Sequence, residues 1–252
     1  MTTAARALPA PVVRHRGRPA WRILASVLTL AALLWGTLNV VNLLSHGERR
    51  FTRTFSADGI ARIDVSTDRG SVRVIASDRD DIAVSAYVSD GLGDTDDSLR
   101  VRGNRLLVDG DCTFPVAYWC TASYTLRVPR GLALNLWSGS GDVSVRGRTG
   151  VVQLTSQHGD INAVGLRGVD AEATADHGSV HLQFVRPPFI VKGSSAHGDV
   201  TVVVPRTTES YHVELSTDHG DATNRVRTDP GSDRVIDLSS QHGDVAVRYA
   251  PR

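Results

Sequence analysis

Ser156-Gln-His-Gly-Asp-Ile161 returns as Ala175-Asp-His-Gly-Ser-Val180, Ser195-Ala-His-Gly-Asp-Val200, Thr217-Asp-His-Gly-Asp-Ala222 and Ser240-Gln-His-Gly-Asp-Val245. Two relatives lack the histidine, Ser138-Gly-Ser-Gly-Asp-Val143 and Thr67-Asp-Arg-Gly-Ser-Val72. From residue 141 onward the motif glycines stand at 141, 159, 178, 198, 220 and 243, so the repeat is close to 20 residues long. Behind each glycine runs a short alternation, such as Val143 and Val145, Val200 and Val202, or Val245 and Val247. Period-two alternation of β-branched residues is the pattern of a half-buried strand. Ahead of the motif lies a second apolar stretch, as in Val151–Thr155, Tyr211–Leu215 and Arg234–Leu238. Each unit therefore reads as strand, tight turn, strand, loop.

Such a unit cannot bury its own apolar face, and stacking the units makes a continuous core. The expected fold is all-β: a β-solenoid or related stack of short strands, with no helix apart from one N-terminal membrane segment. The competing architecture is a β-sandwich. The motif glycines Gly70, Gly141, Gly159, Gly178, Gly198, Gly220 and Gly243 are expected to supply the backbone freedom of the turn. Asp142, Asp160, Asp199, Asp221 and Asp244, with the Ser or Thr ahead of each glycine, are expected to bond free turn amides. The first half is less regular. Strands are expected at 61–66, 72–76, 82–88, 99–108 and 124–128, with an exposed acidic loop over 89–98.

The chain has 252 residues, 41% hydrophobic and 22% charged, with a formal net charge of +1. Arg6, Arg14, Arg16, Arg18 and Arg22 crowd the first 22 residues without an acid, leaving 23 basic against 27 acidic groups in the remainder. A mildly acidic body lacks the footprint of a nucleic-acid binder. Residues 23–44 then run uncharged. As a helix they would span about 33 Å, enough for a hydrocarbon core of about 30 Å. A cleaved signal peptide is the competitor, but no small-x-small cleavage site follows in Leu-Leu-Ser-His-Gly-Glu-Arg-Arg50. Five arginines precede the helix, against Arg49, Arg50 and Arg53 after it, which places the N-terminus in the cytoplasm. The expected partition is a basic tail (1–22), a transmembrane helix (23–45), a juxtamembrane linker (46–54) and an extracytoplasmic β-repeat domain (55–252).

Cys112 and Cys120 are the only cysteines. Their spacing fits neither a redox CxxC nor common zinc sites, and export of the segment makes a disulfide the expected state. Tyr118 and Trp119 beside them are read as a cover over the end of the stack, or else as a sticky tip.

The recurring Gly-Asp-Val turns, together with Leu126-Arg-Val-Pro-Arg-Gly131 and Val202-Val-Val-Pro-Arg206, resemble the bacterial putative-adhesin family over residues 55 to 250. That resemblance implies a β-strand-repeat architecture and surface attachment, and it supplies no active site. A histidine in five of the seven turns is the unusual feature.

Stacked in register, His158, His177, His197, His219 and His242 would form a ladder with rungs about 4.8 Å apart. Such a ladder could bind a metal ion or respond to acid pH, which is the alternative function of an envelope sensor. The plainer reading is a column of solvated turn residues. Catalysis is not expected, because Ser, His and Asp recur at one phase of every repeat and a nucleophile with its base is needed once. No cofactor motif is present, and Ser138-Gly-Ser-Gly141 is a repeat turn. The sequence therefore reads as a membrane-anchored, non-enzymatic interaction or scaffold protein whose partner is an unnamed envelope glycan or protein.

Overall fold

The computed structural model describes residues 19–44, 47–90, 95–112, 120–148, 150–167 and 170–251. It divides into two compact units, 1–45 and 46–252. The first contains one helix, α1 (Pro19–Leu44). Its window Ile23–Val40 has a mean hydropathy of 1.9, and none of it is buried. The basic tail before it lies outside the described residues.

The second unit is a β-solenoid-like stack of two sheets. Each coil contributes one strand to either sheet, joined by the glycine turn. The coils are β2–β3 (Arg62–Arg69, Val72–Ser77), β8–β9 (Ala133–Ser140, Val143–Arg146) and β10–β11 (Val152–His158, Ile161–Arg167). They continue as β12–β13 (Ala171–His177, Val180–Arg186) and β14–β15 (Ile190–His197, Val200–Val204). Last come β16–β17 (His212–His219, Ala222–Asn224) and β18–β19 (Val235–His242, Val245–Tyr249). Neighbouring coils pair in parallel, as where Val152 faces Ala171, Leu154 faces Ala173 and His158 faces His177, with a register irregularity between β11 and β13 past Val164. Alternate side chains of both sheets meet between them, so Leu136, Leu154, Val191 and Leu238 from one sheet and Val145, Ala163, Leu182 and Val202 from the other are fully or almost fully buried. Burying each Val, Leu or Ile contributes about 1.5–3 kcal/mol, and a stack gains this on every coil it adds.

The coil order departs from chain order. The coil β18–β19 lies between β14–β15 and β16–β17, so the penultimate coil in sequence ends the stack. Its inward positions explain the exchange. Opposite Val245 and Val247 the coil β16–β17 carries Ala222 and Asn224, and its Val213 and Leu215 are only partly buried. The valine-rich coil takes the enclosed place, and the more polar one faces solvent.

The other end of the stack changes character. The first strand, β1 (Gly47–Ser56), pairs antiparallel with β4 (Asp81–Asp90), which pairs antiparallel with β7 (Thr121–Pro129), and β7 continues in parallel onto β3. In the other sheet β5 (Thr95–Arg102) and β6 (Arg105–Cys112) form a hairpin attached to β2. Two sequence expectations are corrected here. The juxtamembrane linker at 46–54 is mostly strand β1, because Phe51 and Phe55 pack against the core. The single strand expected at 99–108 is split by a turn at Gly103, whose φ of +61° lets the chain reverse. Of the acidic loop expected over 89–98, residues 95–98 belong to β5 and 91–94 lie outside the described residues.

Arg148 fills the corner between β9 and β10. It is wholly buried and donates to the carbonyls of Val128, Pro129 and Leu132. Burial, and then the neighbouring Arg130, push its pKa down to about 10, so it remains a cation at neutral pH.

Candidate functional site: the turn column and the outer faces

The repeated motif resolves into four columns along one edge of the stack. The glycines adopt φ between +138° and +154°, a region that side chains with a Cβ rarely enter. A second constraint comes from stacking. A Cβ added at Gly159 would land on the carbonyl oxygen of Gly141, one at Gly178 on that of Gly159, and one at Gly198 on that of Gly178. Each turn rests backbone on backbone against its neighbour, and only glycine is thin enough.

Inside the glycine column runs a buried hydroxyl column. Ser138 Oγ donates to the Gly70 carbonyl at 3.0 Å, Ser156 to Gly141 at 3.2 Å, Ser195 to Gly178 at 2.8 Å and Ser240 to Gly198 at 2.9 Å. Thr217 does the same to Gly243 at 2.9 Å. The coil β12–β13 has Ala175 at this position and therefore no hydroxyl.

Outside the glycines the aspartates act between coils. Asp142 Oδ1 accepts the amide of Asp160 at 3.0 Å, and Asp160 Oδ1 accepts that of Ser179 at 2.8 Å. Asp199 Oδ1 accepts the Asp244 amide at 2.8 Å, and Asp244 Oδ1 accepts the Asp221 amide at 2.9 Å. These carboxylates satisfy turn N–H groups on the next coil, a charge-assisted contact. The uneven loops of the repeat leave the register intact at this edge.

The histidines form the fourth column. His158 and His177 stack with ring centroids 5.0 Å apart, His177 and His197 at 4.7 Å, His197 and His242 at 5.0 Å, and His242 and His219 at 4.7 Å. Interplanar angles are 7°, 7°, 1° and 1°, so the rings lie face to face and all five are exposed. Face-to-face rings set their nitrogens in a row along the stack, and His158 Nδ1 lies 3.3 Å from the Gly139 carbonyl of the neighbouring coil. Among the described residues no group of three or more His, Cys, Asp or Glu is arranged to hold a metal ion.

The cysteine pair falls at the limit of the described region. Cys120 is buried, no cysteine is free among the described residues, and the side chain of Cys112 lies outside them. Tyr118 and Trp119 also lie outside them.

The two outer faces differ in charge, which the sequence reading missed. Seven strands of one sheet, β3, β7, β9, β11, β13, β15 and β19, hold six arginines and no acidic residue. Six strands of the other, β8, β10, β12, β14, β16 and β18, hold five carboxylates, one lysine and no arginine. Glu172, Lys192, Asp237 and Glu214 share one row across the coils, and Thr174, Ser194, Ser239 and Ser216 the next. Depressions of about 180 and 380 Å³ on this face are lined by hydroxyls and carboxylates. Their signal in the sequence was the phase of charge within each strand: acid ahead of the glycine turn, arginine behind it.

Known proteins agree with this architecture. The family model described as Toastrack DUF4097 matches residues 130–248, the regular part of the stack. A putative cell adhesion protein from Clostridium sporogenes superimposes with a TM-score of 0.51 at 8% identity, over 81% of this chain and 100% of that one. Putative adhesins from Bacteroides fragilis (16% identity, 80% and 97% of the two chains) and Parabacteroides merdae (11%, 81% and 97%) align at TM-scores of 0.35 and 0.26. The likeness of fold rests on the first of these. No curated protein matches the chain.

Proposed function

We propose that the chain is a membrane-held, extracytoplasmic and non-enzymatic scaffold, a reading supported by the similarity of residues 130–248 to the family described as Toastrack DUF4097. The observation that carries the reading is α1, whose window Ile23–Val40 is apolar and unburied throughout. A helix of that length and composition is stable in a bilayer and costly to leave in water. The arginine asymmetry around it puts the tail 1–22 in the cytoplasm and the β unit outside. There the Cys112–Cys120 pair is in an oxidising compartment and closes as a disulfide. The β unit offers flat polar faces on a rigid stack, suited to weak multivalent contact with an envelope glycan or protein. The motif residues of the turn column are committed to holding coils together, and the histidines are their solvated outer row.

The test is thiol labelling of the full chain in a bacterial host. Thr208→Cys, in an exposed loop, is introduced with both native cysteines changed to serine, and intact cells are treated with a membrane-impermeant maleimide. Labelling of a full-length, membrane-retained chain is expected. Labelling only after lysis would overturn the topology, and a shortened chain released from the membrane would show a signal sequence instead of an anchor.

A further inference from the structure

The segregation of charge between the two outer faces goes beyond an anchor and a scaffold. The strands whose outer positions carry Arg73, Arg127, Arg146 and Arg248 contain no acid to neutralise them. Arg167 and Arg186, paired in register at the ends of β11 and β13, extend the basic face. On the opposite sheet Glu172, Asp176, Glu214, Asp218 and Asp237 meet a single cation, Lys192, within β8, β10, β12, β14, β16 and β18, while Arg62 of β2 reaches Gln153 at the far end of that face. His212 is spent on Glu214, 3.1 Å away on its own strand. Both faces are built on the same parallel lattice with coils about 4.8 Å apart, with the acids on β12, β18 and β16 and the outer arginines on β7, β3, β9 and β19. Backbone hydrogen bonds inside each sheet are consumed by the ladders, and only side chains are offered to a partner.

We infer that the acidic face of one copy of this chain seats on the basic face of a second copy. The contact is heterologous, using different surfaces on the two partners, and it leaves one face free at each end. It therefore propagates as an open file of copies instead of closing as a dimer. Six strands about 20 Å long and 4.8 Å apart present roughly 600 Å² per copy, below the roughly 800 Å² per partner of a standard stable interface. The association is correspondingly weak in solution, and holding the copies in one membrane raises their effective concentration. Complementary charge without a large apolar core also makes it sensitive to salt. This extends the scaffold reading by giving the scaffold a second copy of itself as partner, and purified protein tests it whatever the topology.

Sedimentation of the full chain in detergent micelles, at low and at half-molar salt, is the experiment. The expected result is a mass that rises with protein concentration at low salt and falls to one chain per micelle at high salt. Arg127→Glu with Arg146→Glu, and separately Glu172→Lys with Asp237→Lys, should each abolish the rise. Mixing the two double variants should restore it, because a reversed acidic face then meets a reversed basic face. Arg127→Gln with Arg146→Gln gives the same direction with less perturbation, should a reversal variant fail to fold. Absence of association at low salt, or association that survives both reversals and high salt, would overturn the inference.

Discussion

The regular coils of residues 133–249 and the irregular strands of 47–129 solve the same problem in different ways. In the regular part every strand is parallel to its neighbours, and the two strands of each coil are joined by the same turn, which stacks on that of the next. That turn leaves no room between backbones, so one residue type is imposed at one phase of each repeat. In the irregular part β1, β4 and β7 run antiparallel and β5–β6 is a hairpin. There only the Gly70 turn of the coil β2–β3 stacks on a neighbour, that of Gly141, and beyond it the sequence is free to vary. The repetition of His-Gly-Asp is thus the imprint of stacking, and its fading toward the N-terminus marks where stacking gives way to a different cover.

This contrast can be broken most sharply at two glycines. Gly178→Ala combines a φ of +150° with a Cβ placed on the Gly159 carbonyl, and should cost about 3 kcal/mol or more. In a domain of this size that lowers Tm by roughly 10 °C. Gly103→Ala, in the hairpin turn with open space around the new methyl, should cost only about 1–2 kcal/mol. Thermal unfolding of the two variants side by side checks it, and equal losses would remove the stacking argument. At the junction of the two regions, Arg148→Met would leave the carbonyls of Val128, Pro129 and Leu132 without their donor. About 2 kcal/mol of destabilisation is expected by denaturant titration. The hydroxyl column sharpens the comparison on a smaller scale. Ser156→Ala should lose about 1 kcal/mol, while Ala175→Ser, which restores the missing member between Ser156 and Ser195, should gain about 0.5–1 kcal/mol.

Much of the regular region was legible because its constraints are local. The glycine phase, the alternation behind it and the hydroxyl ahead of it together expose the strand–turn–strand unit, and the ladder register follows from the common turn. The order of the last two coils was not legible, since both carry the same motif. It is decided by whether Ala222 and Asn224 or Val245 and Val247 tolerate the open end, a choice that appears only once the stack has an end. The hairpin at Gly103 was signalled by Gly103-Asn104 between two alternating runs that read together as one strand, and β1 was hidden within a run of charges, because its partner β4 lies some 30 residues away in sequence. Of the site, the histidine and aspartate columns were visible as recurrences. That the aspartates accept amides from the next coil, and that the two faces carry opposite charge, required knowing which strand belongs to which sheet.

The central claim is that the recurring motif is architecture, with its histidines as passengers on the outer edge. Calorimetric titration of the full chain with Zn²⁺ near neutral pH, beside a variant with His158, His177, His197, His219 and His242 all changed to Asn, tests it most directly. The expected result is no saturable heat in either protein and a Tm within about 4 °C of the parent, since exposed substitutions away from the turn backbone change stability little. A saturable zinc site of micromolar affinity in the parent, lost in the variant, would contradict the claim and make the column a metal-responsive device.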